Sequence, residues 1–250
     1  MLKTGLASMT FRNKTPDEII DITKRAGLSA IEWASDAHVP PGDTQTAKKV
    51  GKRTRESGLE VSSYGAYFRL GNGEDFAPYI ESALALGTNN IRIWAGVKGS
   101  DETDTQMRAN IVHEAKRISA LAANVHMNIS LECHKWTLTD TLESHMKLLS
   151  EVNMPNFFTY WQTRADIEPS MQTDDLQEIM QTGRLTNIHV HSYNENREQT
   201  LLGDGAVDWK MCLDLARTDP ALHYVLIETV LNREDKSFLH DAEILRRFVR

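Results

Sequence analysis

Thr15-Pro16-Asp17-Glu18 opens, and Ala26-Gly27-Leu28-Ser29-Ala30-Ile31-Glu32-Trp33 closes, the stretch whose reading decides the fold. Thr15 with Glu18 three residues later is a capping box, and Pro16 stands at the first helical position. A helix is expected over residues 17–26, and Gly27 ends it as a C-terminal glycine does. A short β-rich run, Ala30–Trp33, follows at once. The same punctuation returns at Gly58 and Gly87, at intervals of 31 and 29 residues.

Reading outward, short β-rich runs alternate with longer amphipathic ones. Strands are expected near Lys3–Ser8, Ala30–Trp33, Glu60–Gly65, Asn90–Trp94, Asn128–Glu132, Phe157–Trp161, Asn187–His191 and Tyr224–Glu228. Helices are expected near Asp17–Ala26, Thr44–Ser57, Phe76–Leu86, Thr103–Val125, Thr141–Val152, Asp174–Thr182, Trp209–Arg217 and Phe238–Phe248. Met107, Ile111, Ala115, Ile118, Ala122 and Val125 keep one apolar face at helical spacing. Repeated βα units demand right-handed crossovers and a parallel sheet. Eight units of about 31 residues each fill the chain, the pattern of a (β/α)8 TIM barrel. The expectation is one α/β domain over residues 1–250, with no linker or low-complexity tract. A doubly wound sheet competes, but its glycine-rich first turn is missing from Ser8-Met9-Thr10-Phe11-Arg12-Asn13.

Composition narrows the function. With 40% hydrophobic and 25% charged residues, the 250-residue chain has a globular balance, not a disordered one. No apolar run approaches the roughly 18–20 residues of a membrane span, so no membrane partner is expected. The polar residues of Met1–Phe11 break any signal peptide. Cys133 and Cys212 are too few for a disulfide framework or a cysteine zinc site. A cytoplasmic location is the default expectation. The net charge of −7 disfavours nucleic acid, which needs clustered Lys and Arg. The one basic cluster, Lys48, Lys49, Lys52, Arg53 and Arg55, reads as the solvated face of a helix. Homo-oligomerisation is left open.

In a barrel, working residues come from the C-terminal strand ends and the loops after them. Here those ends carry Glu32-Trp33, Tyr64-Gly65-Ala66-Tyr67, Trp94, Glu132-Cys133-His134, Tyr160-Trp161-Gln162, His189-Val190-His191 and Glu228. Glu132 and Glu228 follow the apolar runs Ile129–Leu131 and Val225–Ile227, where an unpaired carboxylate is costly. A salt bridge to a barrel Arg or Lys would satisfy either one. Together with His189 and His191, two apart and so on one face of a strand, they make a donor set for a divalent cation such as Mn, Mg, Co or Zn. Buried structural histidines are the plain alternative. Trp33, Trp94, Trp136 and Trp161, with Tyr67 and Tyr193, sit at or just past strand ends. They either seal the barrel top or form a wall for a sugar.

Taken in order, these pieces resemble the sugar phosphate isomerase/epimerase family of the xylose isomerase-like TIM-barrel superfamily. To the strand-end segments already quoted are added Ile188-His189-Val190-His191, Leu202-Gly203-Asp204-Gly205-Ala206-Val207-Asp208-Trp209 and Leu226-Ile227-Glu228. The last long piece reads as a tight turn into a helix, with Asp208 near its start, not as a phosphate loop. The resemblance spans essentially the whole chain. It implies one divalent metal ion held by Glu132, Gln162, His189 and Glu228, with His191 as the alternative histidine. It also implies a metal-dependent isomerase or epimerase that moves a proton next to the carbonyl of a sugar, sugar phosphate or polyol through an enediolate. Glu132 and Glu228 would be the catalytic acid–base pair. Trp33, Tyr67, Arg69, Trp94, His134, Trp161, His191 and Arg197 are the candidate substrate contacts; Lys98 also lies in a loop of this kind. An inosose-type dehydratase on the same scaffold, or a metal-poor ligand-binding barrel, is the alternative. The departure is at Gln162: the family pattern has Asp there and a His three residues on, where this chain has Ala165.

Overall fold

The computed structural model describes residues 1–164 and 167–250. Eight strands, β1 (Leu2–Ala7), β2 (Ala30–Ala34), β3 (Glu60–Arg69), β4 (Asn90–Trp94), β5 (Asn128–Leu131), β6 (Phe157–Trp161), β7 (Leu185–Val190) and β8 (His223–Ile227), close in chain order into one barrel. Every neighbouring pair is parallel, including β1 with β8. Among the described residues eight α-helices surround it: α1 (Pro16–Arg25), α2 (Thr44–Glu56), α3 (Ala77–Leu86), α4 (Thr105–Ala123), α5 (Leu142–Val152), α6 (Gln172–Gln181), α7 (Trp209–Ala216) and α8 (Asp235–Val249). The (β/α)8 architecture expected from the repeat spacing is therefore present. Among the described residues no helix is long and apolar enough to cross a membrane.

The punctuation works as read. Thr15 accepts from the Glu18 backbone, and the Glu18 carboxylate accepts from the Thr15 backbone at 2.7 Å. Gly87 ends α3 at φ +87°, where a side chain would strain the backbone. Asp208 caps α7 through the Met211 N–H at 3.0 Å. The basic residues of α2 are exposed, as expected of a solvated face.

Most ends lie within two residues of the sequence reading, and two differ by three or more. β3 runs on to Arg69, because a register irregularity after Gly65 lets Arg69 pair with Trp94. α8 begins three residues early, at Asp235, whose carboxylate suits a helix N-terminus and meets Lys14 at 2.9 Å.

Strand alternation decides which chemistry reaches the barrel interior. On β4, Arg92 points inward between buried Ile91 and Ile93. On β7, Asn187 and His189 alternate with Ile188 and Val190, and on β6 the inward Tyr160 precedes Trp161. The outward aliphatic set packs under the helices with Leu148, Ile179, Leu213 and Leu245. Each such side chain contributes about 1.5–3 kcal/mol by leaving water. This layer holds rigid the strand ends that carry the polar residues.

Candidate active site

Glu132 stands directly after β5, and its backbone N–H still donates to Ile93 at 2.9 Å. Glu228 follows β8 and donates to Val190 at 3.0 Å. The main chain that carries each carboxylate is therefore fixed by a sheet hydrogen bond. His189 enters between them from β7. Its Nδ1 lies 3.4 Å from Glu132 Oε1 and 3.8 Å from Glu228 Oε1.

The other oxygen of each carboxylate is already occupied. Glu132 Oε2 accepts from Arg92 at 2.6 Å and from the Trp94 indole. Glu228 Oε2 faces His191 Nδ1 at 3.2 Å. One oxygen of each glutamate is thus left for the His189 side. Glu132, His189 and Glu228 offer three donor atoms within 4.8 Å of one another. Donors bonded to one cation at about 2.1 Å stand roughly 3.0–3.5 Å apart, near the 3.4 and 3.8 Å that separate His189 Nδ1 from the two carboxylate oxygens. The donor set fits a divalent ion.

Arg92 and Glu32 are the partners that the sequence reading passed over. The guanidinium is buried and bridges Glu132 to Glu32, whose Oε1 lies 3.2 Å from its Nη2. Glu32 Oε1 is also 3.3 Å from His189 Nε2, and its Oε2 accepts from Ser63 and Tyr160 at 2.8 Å each. Burial alone would raise the Glu32 pKa, but Arg92 and His189 outweigh it and hold it at about 2. Burial likewise opposes the charge on Glu132, yet Arg92 and His189 keep it far below the usual carboxylate range. Burial would strip the proton from His189; Glu32 and Glu228, with Glu132 bonded beside them, push it up to about 10. With the imidazole neutral, three carboxylates, one guanidinium and a divalent cation sum to zero. The visible signal for Arg92 was a charged residue inside an apolar strand, Ile91-Arg92-Ile93.

Gln162 comes immediately after β6, and its buried Oε1 has no hydrogen-bond partner among the described residues. An orphaned amide oxygen costs about 1–3 kcal/mol unless something satisfies it, so this atom suits a further neutral ligand. Restoring the charge with Gln162→Asp is expected to tighten divalent-metal binding by at least about tenfold. Equal or weaker binding by titration calorimetry would reject that role. Ala165 lies outside the described residues.

The histidine alternatives separate. His189 is in the triad, while His191 lies beside it, bridging Glu228 to the Thr163 hydroxyl at 2.9 Å. Thr163 and His191 open onto a cavity of about 490 Å³ that Arg164, Tyr193, Arg197 and Trp209 also line. Arg197 thus stays near the site, on an exposed loop at φ +64°.

A second group gathers on the other side of the mouth. Trp94 lies between the Arg69 guanidinium, 3.9 Å from its centroid, and the His134 ring, stacked at 4.3 Å. Tyr67 adds a tilted contact at 5.5 Å.

Two expected substrate contacts are corrected. Trp33 is fully buried and donates to Thr54 on α2 at 3.2 Å. Trp161 is fully buried, donates to Asp175 on α6 at 2.8 Å and meets Trp209 edge-on. Each is one residue out of phase with an inward neighbour, Glu32 or Tyr160, so the pleat turns it toward the helices.

The chain has counterparts among known proteins. Over 224 residues the chain is 29% identical to the 3-dehydroshikimate dehydratase of Bacillus anthracis, covering 81% of this chain and 79% of that protein. The crystal structure of the probable 3-DHS dehydratase of Bacillus anthracis involved in petrobactin synthesis matches with a TM-score of 0.84 at 21% identity, covering 98% of this chain and 99% of that one. D-allulose 3-epimerase from Methylomonas sp. matches with a TM-score of 0.72 at 18% identity, covering 99% and 98%. These two likenesses show the shared barrel. A profile of the xylose isomerase-like TIM barrel family matches residues 20–248, and the chain belongs to that family.

Proposed function

We propose that the protein is a metal-dependent enzyme that enolises a small α-hydroxy ketone and then expels a β-hydroxyl as water. The candidate substrate is 3-dehydroshikimate or a close cyclic relative. The observation that carries this reading is the convergence of Glu132 Oε1 and Glu228 Oε1 on His189, each carboxylate having its second oxygen held by another residue. The dehydratase choice is supported by the 29% identical relative.

A divalent cation held by Glu132, His189 and Glu228, with Gln162 at the end of the neighbouring strand β6 as a candidate fourth ligand, would supply Lewis-acid stabilisation for the ketone and the neighbouring hydroxyl oxygens. The protein's own groups divide the remaining work. Glu132 is clamped by Arg92 and Trp94, so it stays an anion and is a poor base. That narrows the two-base scheme suggested by the sequence. Glu228 is the base in this reading. Its Oε1 faces His189, and its Oε2 takes the proton from the carbon next to the ketone. His191, against that oxygen, and Thr163 beyond it form the proton route toward the cavity and the leaving hydroxyl. Loss of the α-proton and the β-hydroxyl removes one water. For 3-dehydroshikimate, tautomerisation then gives 3,4-dihydroxybenzoate.

An epimerase is the second reading, because the same enolised state returned a proton on its opposite face yields an epimer. The structural likeness to a D-allulose 3-epimerase keeps it in view. The purified protein should be loaded in turn with Mn, Mg, Co and Zn and offered 3-dehydroshikimate and D-allulose. Formation of 3,4-dihydroxybenzoate, abolished by chelation, is expected. Conversion of D-allulose to its C3 epimer would replace the dehydratase reading. Turnover of neither substrate with any of these metals would reject both assignments.

A further inference from the structure

We infer that Glu32 is the positioning residue of His189: it accepts the imidazole Nε2–H and so aims Nδ1 at the space between Glu132 and Glu228. The inference rests on the metal-site reading above and adds to it the tautomer of the histidine and the group that sets it.

The two ring nitrogens of His189 face different surroundings. Nδ1 looks toward Glu132 Oε1 and Glu228 Oε1, at 3.4 and 3.8 Å. Nε2 looks the other way, toward Glu32 Oε1 at 3.3 Å; as the ring stands, neither nitrogen completes a hydrogen bond among the described residues. A neutral imidazole carries one N–H. When Nδ1 gives its lone pair to a cation, the hydrogen must sit on Nε2, and Glu32 is the acceptor there.

Glu32 is itself held from several strands. Ser63 on β3 and Tyr160 on β6 donate to its Oε2, and Arg92 on β4 donates to its Oε1. Asn187 on β7 donates to the Tyr160 oxygen at 2.7 Å, leaving the phenol hydrogen for Glu32. The backbone also makes room. A Cβ on Gly65 would stand 2.9 Å from Glu32 Oε1 and 2.8 Å from Arg92 Nη2. The absent side chain is what lets the carboxylate and the guanidinium lie over β3. The Tyr160 ring meets the imidazole edge-on at 5.0 Å and restrains its rotation.

Glu32→Asp keeps the charge but withdraws the carboxylate by one methylene, which separates orientation from electrostatics. In the full-length protein it is expected to raise the Co2+ dissociation constant about 10–100-fold. Tyr160→Phe and Ser63→Ala, which each remove one donor to the same carboxylate, should raise it several-fold. In the Zn2+-loaded wild type, long-range proton–nitrogen spectra should show His189 with the hydrogen on Nε2. A hydrogen on Nδ1, or wild-type Co2+ affinity in Glu32→Asp, would overturn the orienting role while leaving the metal site standing. If Glu32→Asp fails to fold by circular dichroism, unchanged affinity in both Tyr160→Phe and Ser63→Ala overturns it equally. A wild type that binds neither Co2+ nor Zn2+ would remove this inference together with the metal site.

Discussion

Glu228→Gln should lower kcat by about a thousandfold or more while leaving the barrel folded. Glutamine keeps the size of the side chain but loses two things at once. Its amide has no basic oxygen for the α-proton, and positioned general-base catalysis alone is worth about 10²–10⁴-fold. It also loses the charge that helps balance a divalent ion, leaving the buried set one positive charge in excess. The fold should survive because Glu228 lies after β8, with its side chain 14% exposed, and its backbone hydrogen bond to Val190 is untouched by the change. Steady-state kinetics with metal analysis and circular dichroism on the same sample make the test. Full activity in this variant would refute Glu228 as the base. A kcat loss with metal content preserved would point to the proton role, and a parallel loss of both would point to the ligand role.

The parts of this site that were legible in the sequence share a property. Glu132, His189 and Glu228 end apolar strands at places where a barrel exposes its mouth, so position in the repeat was enough to nominate them. Trp33 and Trp161 stand at equally good positions along the chain, but one residue of pleat separates a mouth-facing side chain from a helix-facing one. Phe157–Trp161 carries large aromatic rings on both phases, and in the short run Ala30–Trp33 the single charge of Glu32 is too little to establish an alternation, so the pattern that would have sorted the tryptophans is hidden. Glu32 shows the same ambiguity from the other side. It precedes a tryptophan in a buried strand, and only its contacts across the barrel to Arg92, Tyr160 and His189 reveal its use. Those contacts join β2 to β4, β6 and β7. No local pattern encodes such pairings, because they depend on which strands oppose one another across the closed sheet.

Arg92 illustrates how much of the site's order rests on one buried charge. Arg92→Met, which keeps an unbranched apolar stem but removes the guanidinium, is expected to destabilise the protein by about 3–5 kcal/mol, because it leaves Glu32 and Glu132 buried without their shared counterion. For a domain of this size that corresponds to a fall in Tm of roughly 6–20 °C. The loss should exceed the value of either ion pair. Each carboxylate was desolvated at a cost that Arg92 offset, and each keeps that cost when the guanidinium goes. Thermal unfolding of Arg92→Met, Glu32→Gln and the double variant forms a cycle that isolates this effect. The double variant should be more stable than Arg92→Met alone, since one uncompensated charge has been removed with its partner. If Arg92→Met instead melts with the wild type, the guanidinium is dispensable for stability. The zero charge balance of the three carboxylates, Arg92 and a divalent ion would then describe the site's binding chemistry without contributing to its folding.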